Sequence, residues 1–323
     1  MNQHRRGDVI AVHSIHRFVI SVPDLDQAEH FYTAFGLDVR RHADRLDLHT
    51  VGHPHCWGQV YRGSGARKKL EYLAFGAYSD DLDTLEARAR AAGALLQGPH
   101  PLGSADGFWL RDPDGVALQV LAADKVTPTE RAPALGPVVK RNPVGADIAP
   151  MRSEGVPVRP VRLSHVLVFC TDVDATLAFY ERMLGLRLSD RSVDLLAFMH
   201  GAHTSDHHLL ALAKSEGPGL HHTSWTVQRL DEVGMGMEQM LAAGYTEGWG
   251  VGRHVIGSNY FYYARDPWGS FAEFSFDIDF IDAQTEWPAG NYPPEDGMYL
   301  WGPAVPDYFV QNHELAAHAE PVA

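Results

Sequence analysis

DLDQAEHFY at residues 24–32 and DVDATLAFY at residues 172–180 read as one segment written twice, 148 residues apart. Two further pairs keep the same order, ARAAGALL (89–96) with MLAAGYTE (240–247) and LRDPDGVALQV (110–120) with ARDPWGSFAEF (264–274). Their offsets, 151 and 154, grow slowly, as expected of a duplication that has taken small insertions. Each copy opens on an apolar, β-branched run, HRFVISV (16–22) or HVLVFCT (165–171), which predicts a buried strand. Asp24 and Asp172 then stand where N-caps belong. Ala28, Phe31 and Phe35 in one copy, and Leu177, Tyr180 and Leu184 in the other, recur at helical spacing until Gly36 and Gly185 stop them. A second helix is expected at about 80–92 and 230–243, each followed by a glycine, a strand, the Arg-Asp-Pro-x-Gly turn and a last alternating strand. The expected fold class is α+β, two tandem domains each of two βαβββ modules.

Seven of the twenty prolines fall within 124–160, which places a linker at 126–159 between domains 1–125 and 160–285. Residues 286–323 form a tail whose stretch WPAGNYPPEDGMYLWGPAVPDYF has no strand or helix period but too many aromatics for disorder. It should pack on a surface, either as a lid over a pocket or against another subunit. The 27 Lys and Arg against 41 Asp and Glu give a charge of −14 with no basic run, which disfavours nucleic acid as a partner. No stretch approaches the roughly 18 apolar residues of a membrane span, the start lacks a secretory signal, and Cys56 and Cys170 are too few for a disulfide framework. A cytoplasmic protein with no membrane partner is expected.

The histidines point to the chemistry. Of nineteen, His165, His200, His203, His207, His208, His221, His222 and His254 lie within about 90 residues of the second half, near Glu273 on a predicted strand. Nitrogen and carboxylate donors without thiolate suit Zn, Fe, Mn or Ni, and two His with one carboxylate is the arrangement of non-heme Fe(II) oxygenases. In HHTSWTV, strand alternation puts His222 on the polar face with Ser224 and Thr226, making it the better ligand, and leaves His221 with Trp225. A buried, unpaired Glu273 among Phe271, Phe274 and Phe276 would be costly without a cation. His200, His203, His207 and His221 are expected at the surface or behind the ligands.

These residues resemble the type I extradiol ring-cleavage dioxygenases of the vicinal oxygen chelate superfamily, the group of catechol 2,3-dioxygenase and 2,3-dihydroxybiphenyl dioxygenase. The segment GRHVIGSNYFYYARDPWGSFAE (252–273) follows the family's closing signature, with Tyr262 where an apolar residue is usual. The resemblance implies open, cup-like barrels and one metal per chain, Fe(II) or alternatively Mn(II), held by His165, His222 and Glu273. It implies His208 as acid–base residue, His254 and Tyr263 as active-site partners, O2 as co-substrate, a small-molecule catechol as substrate and a homo-oligomer. Phe198, Trp249 and Tyr260 are candidate substrate-binding aromatics, with Ser258 at a position where relatives place Asn or Asp. Another metalloenzyme of the superfamily, such as a glyoxalase-like isomerase or thiol transferase, and a metal-free binding module are the alternatives. The first half is an internal control, because the repeat aligns Arg17 with His165, Tyr72 or a neighbour with His222, and Gln119 with Glu273.

Overall fold

The computed structural model describes residues 4–96, 98–133 and 135–315. The first module is β1 (Val12–Val22), α1 (Leu25–Ala34), β2 (Asp38–Arg41), β3 (Arg45–His49) and β4 (Cys56–Arg62). The second is β5 (Lys69–Ala77), α2 (Leu82–Ala91), a single bridge from Leu95 to Leu110, β6 (Phe108–Arg111) and β7 (Ala117–Ala122). A small hairpin, β8 (Lys140–Arg141) with β9 (Asp147–Ile148), lies in the Pro-rich stretch. The third module is β10 (Arg162–Cys170), α3 (Val173–Leu184), β11 (Arg187–Ser192), β12 (Leu196–His200), the short β13 (Ser205–Asp206) and β14 (Leu210–Lys214). The fourth is β15 (Gly219–Thr226), α4 (Leu230–Ala242), β16 (Gly248–His254), β17 (Tyr260–Arg265) and β18 (Phe271–Phe276), after which β19 (Phe280–Ile281) pairs with β13.

Modules one and two share a seven-stranded sheet ordered β2-β3-β4-β1-β5-β7-β6. Modules three and four repeat that order in a ten-stranded sheet, which adds β16, where the first half has only the Leu95–Leu110 bridge, and a tail strand at each edge: β20 (Gly290–Asn291) on β11 and β21 (Tyr299–Trp301) on β16. The tail therefore runs from one edge of the second sheet to the other. The sequence shows no strand period there because such short edge additions use backbone groups rather than an apolar face. Among the described residues, no helix is long and apolar enough to cross a membrane.

Local chemistry sets the helix ends. Asp24 accepts from the Asp26 and Gln27 N–H groups at 2.8 and 3.2 Å, and Asp172 accepts from Ala175 N–H at 3.0 Å. Gly185 closes α3 with φ +72°, and a Cβ there would come within 2.6 Å of the Ala11 Cβ. Gly36, at φ +98°, likewise sits where a Cβ would meet the Val158 carbonyl oxygen at 2.2 Å. Both helix-ending glycines thus serve as contact points between the halves. Phe35 stacks on Phe274 at 3.9 Å between centroids, and one apolar core runs through both sheets.

Candidate active site

Strand register first shows why the two halves differ. Leu167 pairs with His222 and His165 with Ser224 across β10 and β15, and Ser224 pairs with Glu273 across β15 and β18. In the first half, Val19 pairs with Tyr72, Arg17 with Ala74, and Ala74 with Gln119. Arg17, Tyr72 and Gln119 therefore occupy the very positions of His165, His222 and Glu273. Arg17 donates to Gln59 Oε1 and Gln119 to the Asp106 carbonyl, so hydrogen bonds fill the place of a ligand set. A separate group, Asp47, His49 and Cys56, also converges in that half. Its carboxylate is already held by Arg45 and Gln59, at 2.9 Å each, which weakens its pull on a cation.

In the second half, His165 Nε2 lies 3.2 Å from His222 Nε2 and 3.3 Å from Glu273 Oε2, with His222 Nε2 3.7 Å from the same oxygen. Cis donors on an ion at about 2.0–2.2 Å stand about 3 Å apart, so one ion fits between these three atoms. Glu273 is fully buried and its Oε2 has no hydrogen-bond partner, whereas Oε1 accepts from Asn259 at 3.0 Å. Burial pushes the Glu273 carboxyl up, but His165 and His254 more than offset this, holding it below the ordinary carboxylate range. Burial, helped by the neighbouring imidazoles, holds His208 and His222 far below the usual histidine range, so both are neutral. Neutral imidazole and carboxylate are the forms that bind metal.

The three donors face a cavity of about 260 Å³. Leu167, Phe169, Leu196 and Phe198 form one wall, Trp249 and Phe309 another, and Pro294, Gly297 and Met298 of the tail reach over it. His208, between β13 and β14, and His254, at the end of β16, border it from different elements, with the His208 ring 4.0 Å from that of His165. His254 Nε2 is 2.9 Å from the Tyr263 hydroxyl. Burial and then Glu273 keep that phenol protonated, far above its ordinary range.

The structure brings His165, His222, Glu273, His208, His254, Tyr263, Phe198 and Trp249 together, and it corrects the expectations for Tyr260, Ser258 and His221. Tyr260 does not line the cavity. It alternates with Phe261 and Tyr263 along β17, so it turns to the other face and covers Arg253, 4.9 Å from the ring centroid. Ser258, at φ +63°, points its hydroxyl to Asp279 at 2.6 Å, and the next residue, Asn259, enters the cavity instead. His200, His203, His207 and His221 are all buried, none at the surface. The β15 register slips at His221, so this residue reaches the cavity beside His222 in spite of strand alternation. No sequence periodicity signals such a bulge.

The family model of the Glyoxalase/Bleomycin resistance protein/Dioxygenase superfamily matches residues 14–120 and 162–274. The chain belongs to this superfamily. Metapyrocatechase 2 of Cupriavidus necator is 48% identical over 304 residues, covering 94% of this chain and 93% of that one. Within the superfamily the chain is an extradiol ring-cleavage dioxygenase. The fold of this dioxygenase matches that of homoprotocatechuate 2,3-dioxygenase from Arthrobacter globiformis, with a TM-score of 0.72, 20% identity and coverage of 96% and 95%. It also matches an Mn(II)-bound glyoxalase from Novosphingobium aromaticivorans, with a TM-score of 0.72, 24% identity and coverage of 93% and 94%.

Proposed function

We propose that this dioxygenase cleaves neutral catechols carrying an apolar substituent, at one Fe(II) held by His165, His222 and Glu273 in the catalytic half, 160–285. Glu273 Oε2 carries the assignment, being a buried carboxylate oxygen with no hydrogen bond that faces two imidazole nitrogens. When bound, a divalent iron supplies an acidifying, redox-active centre at which the catechol oxygens and dioxygen are held side by side.

The protein's own groups then handle position and protons. Leu167, Phe169, Leu196 and Phe198 remove the ring substituent from water. His208 has its Nδ1 engaged by His207, which leaves Nε2 to accept the proton of the second catechol hydroxyl. The O–H bond breaks, its electron pair stays on oxygen, and the proton is returned later in the cycle from the same nitrogen. Tyr263, held protonated, donates its one O–H to His254 Nε2 at rest and turns that proton toward the reacting oxygens when substrate occupies the cavity. Among the cavity-lining residues, Lys214 at the rim is the only lysine or arginine, and it is paired with Asp194. A carboxylated catechol would find no free cation there.

Iron titrated anaerobically into the protein, followed by air and a panel of catechols, tests the proposal. A yellow ring-fission product with higher kcat/KM on alkyl or aryl catechols than on carboxylated ones is expected. Equal rates on carboxylated catechols would overturn the substrate assignment, and full turnover with Mn(II) but none with iron would overturn the metal. We further propose a homo-oligomer, since Leu300 and Trp301 lie exposed on β21 and invite cover by a second copy. Sedimentation of the Leu300→Glu variant as the same species as wild type would oppose that.

A further inference from the structure

Of the five histidines that line the cavity, three, His208, His222 and His254, are hydrogen-bonded through Nδ1 into chains that reach the C-terminal segment. His254 is the simplest case. Its Nδ1 lies 2.8 Å from the Met298 carbonyl, which can only accept, so the proton sits on Nδ1 and Nε2 is bare. The His222 Nδ1 lies 2.7 Å from His221 Nδ1, and His221 Nε2 lies 2.6 Å from the Phe309 carbonyl. That carbonyl fixes a proton on His221 Nε2. A neutral imidazole has one donor and one acceptor, so His221 Nδ1 accepts, His222 donates from Nδ1, and the His222 Nε2 is bare.

The third chain follows the same logic. His208 Nδ1 is 3.0 Å from His207 Nδ1, and His207 Nε2 is 2.7 Å from Asp190 Oδ2. Asp190 in turn accepts the Gly290 N–H on Oδ1 at 2.6 Å. The carboxylate only accepts, so His207 keeps its proton on Nε2 and donates it there, His207 Nδ1 accepts from His208 Nδ1, and the His208 Nε2 is again bare. Asp190 and His207 are both buried, and the Trp287 ring packs edge-on to His207 at 5.1 Å, so water does not compete.

We propose that the tail carbonyls of Met298 and Phe309 set the tautomers of His254 and His222, and that Asp190, oriented by the tail N–H of Gly290, sets that of His208, so that each turns an unprotonated Nε2 into the active site. The proposal builds on the roles of His208 as base and His222 as ligand given above. Asp190, His207 and His221 are then positioning residues, and docking of the tail completes the metal site as well as covering it. Without these terminal acceptors either ring nitrogen of each histidine could carry the proton.

The test is made on the full chain, labelled with ¹⁵N-histidine and carrying diamagnetic Zn(II) in place of iron. Long-range ¹⁵N–¹H correlation identifies the protonated ring nitrogen. Protons on Nδ1 of all three histidines are expected. In Asp190→Asn the fixed Gly290 N–H holds the amide oxygen, the NH2 group faces His207, and both rings of that chain reverse. His208 should then carry its proton on Nε2, and kcat of the iron enzyme should fall by about 10²–10⁴-fold with KM and iron content unchanged. His221→Leu should weaken metal retention against a chelator by about 10–100-fold, and His221→Gln, which keeps a donor and an acceptor, should restore most of it. A wild-type His208 or His254 protonated on Nε2, or an Asp190→Asn enzyme with wild-type kcat and a reversed His208, would overturn the proposal. If instead His208→Ala kept full turnover while the wild-type tautomers stood as drawn, only the base role would fall.

Discussion

Glu273 sits among aromatic side chains with one oxygen satisfied by Asn259 and the other by nothing in the protein. Its replacement removes one of three donors, so Glu273→Ala, like His165→Ala and His222→Ala, is expected to purify with little bound metal. Elemental analysis showing one ion per Glu273→Ala chain would defeat the ligand assignment. His208 and Tyr263 act on protons, and the prediction for them is different. His208→Ala and Tyr263→Phe should retain iron and catechol binding while kcat drops, by about 10²–10⁴-fold for His208. Single-turnover measurements with saturating catechol separate that outcome from weakened binding. Trp249 stacks parallel to Tyr263 at 5.6 Å and anchors its indole N–H on the Pro303 carbonyl at 2.9 Å. It couples the tail to the wall behind the tyrosine.

The same local rule operates at the level of elements. Helix α3 begins at the Asp172 cap and ends at Gly185, and only these two ends set its length, because its buried face continues through Leu184. Asp172→Ala should cost about 1 kcal/mol through the lost N-cap. Gly185→Ala should cost more, about 1–3 kcal/mol, because it adds strain at positive φ and its Cβ would press on Ala11. Urea denaturation of the two variants checks the ranking. A smaller loss for Gly185→Ala would mean that the contact between the halves yields easily. Edge strands obey a different logic. β20 and β21 exist because β11 and β16 offer unpaired backbone at the two sheet margins, and a nearby strand can pair with either without an apolar face of its own.

Across the whole molecule, burial also reaches histidines that do not line the cavity. Burial lowers His13 and His200 to about 3 and His16, His55 and His203 to about 4. In the unfolded chain such groups take up protons below about pH 6.5. The unfolded state then binds more protons than the folded one between roughly pH 6.5 and 4, so their contribution is complete above that window and is lost as pH falls through it. Asp112, raised to about 6 mainly by burial, works in the opposite sense as a single group. The melting temperature should therefore fall steeply from pH 7 to pH 5, well before ordinary carboxylates titrate. A melting temperature that stays level over that range would show that these imidazoles can be protonated in place. Glu314 adds a further tie between the halves by accepting the Leu70 and Leu220 N–H groups at 2.8 and 2.7 Å, at the starts of β5 and β15.

The sequence by itself determined the duplication, the helix caps, the strand positions of His165, His222 and Glu273 and the loss of donors in the first half. These depend on short-range periodicity and on spacing, which a linear string preserves. His165, His222 and Glu273 were legible because alternation along β15 and a repeated turn before β18 put them in register. Only the tertiary structure decided which side of β17 faces the cavity, and with it that Tyr260 is excluded and Asn259 included. It also decided the part played by His221, because a bulge breaks the two-residue period without leaving a compositional trace. The tail's carbonyls and N–H groups lie furthest from the reach of sequence. Met298 and Phe309 act through backbone atoms that every residue carries, and Gly290 through an N–H that all but proline share, so their role comes from where the chain passes and not from which side chains it bears.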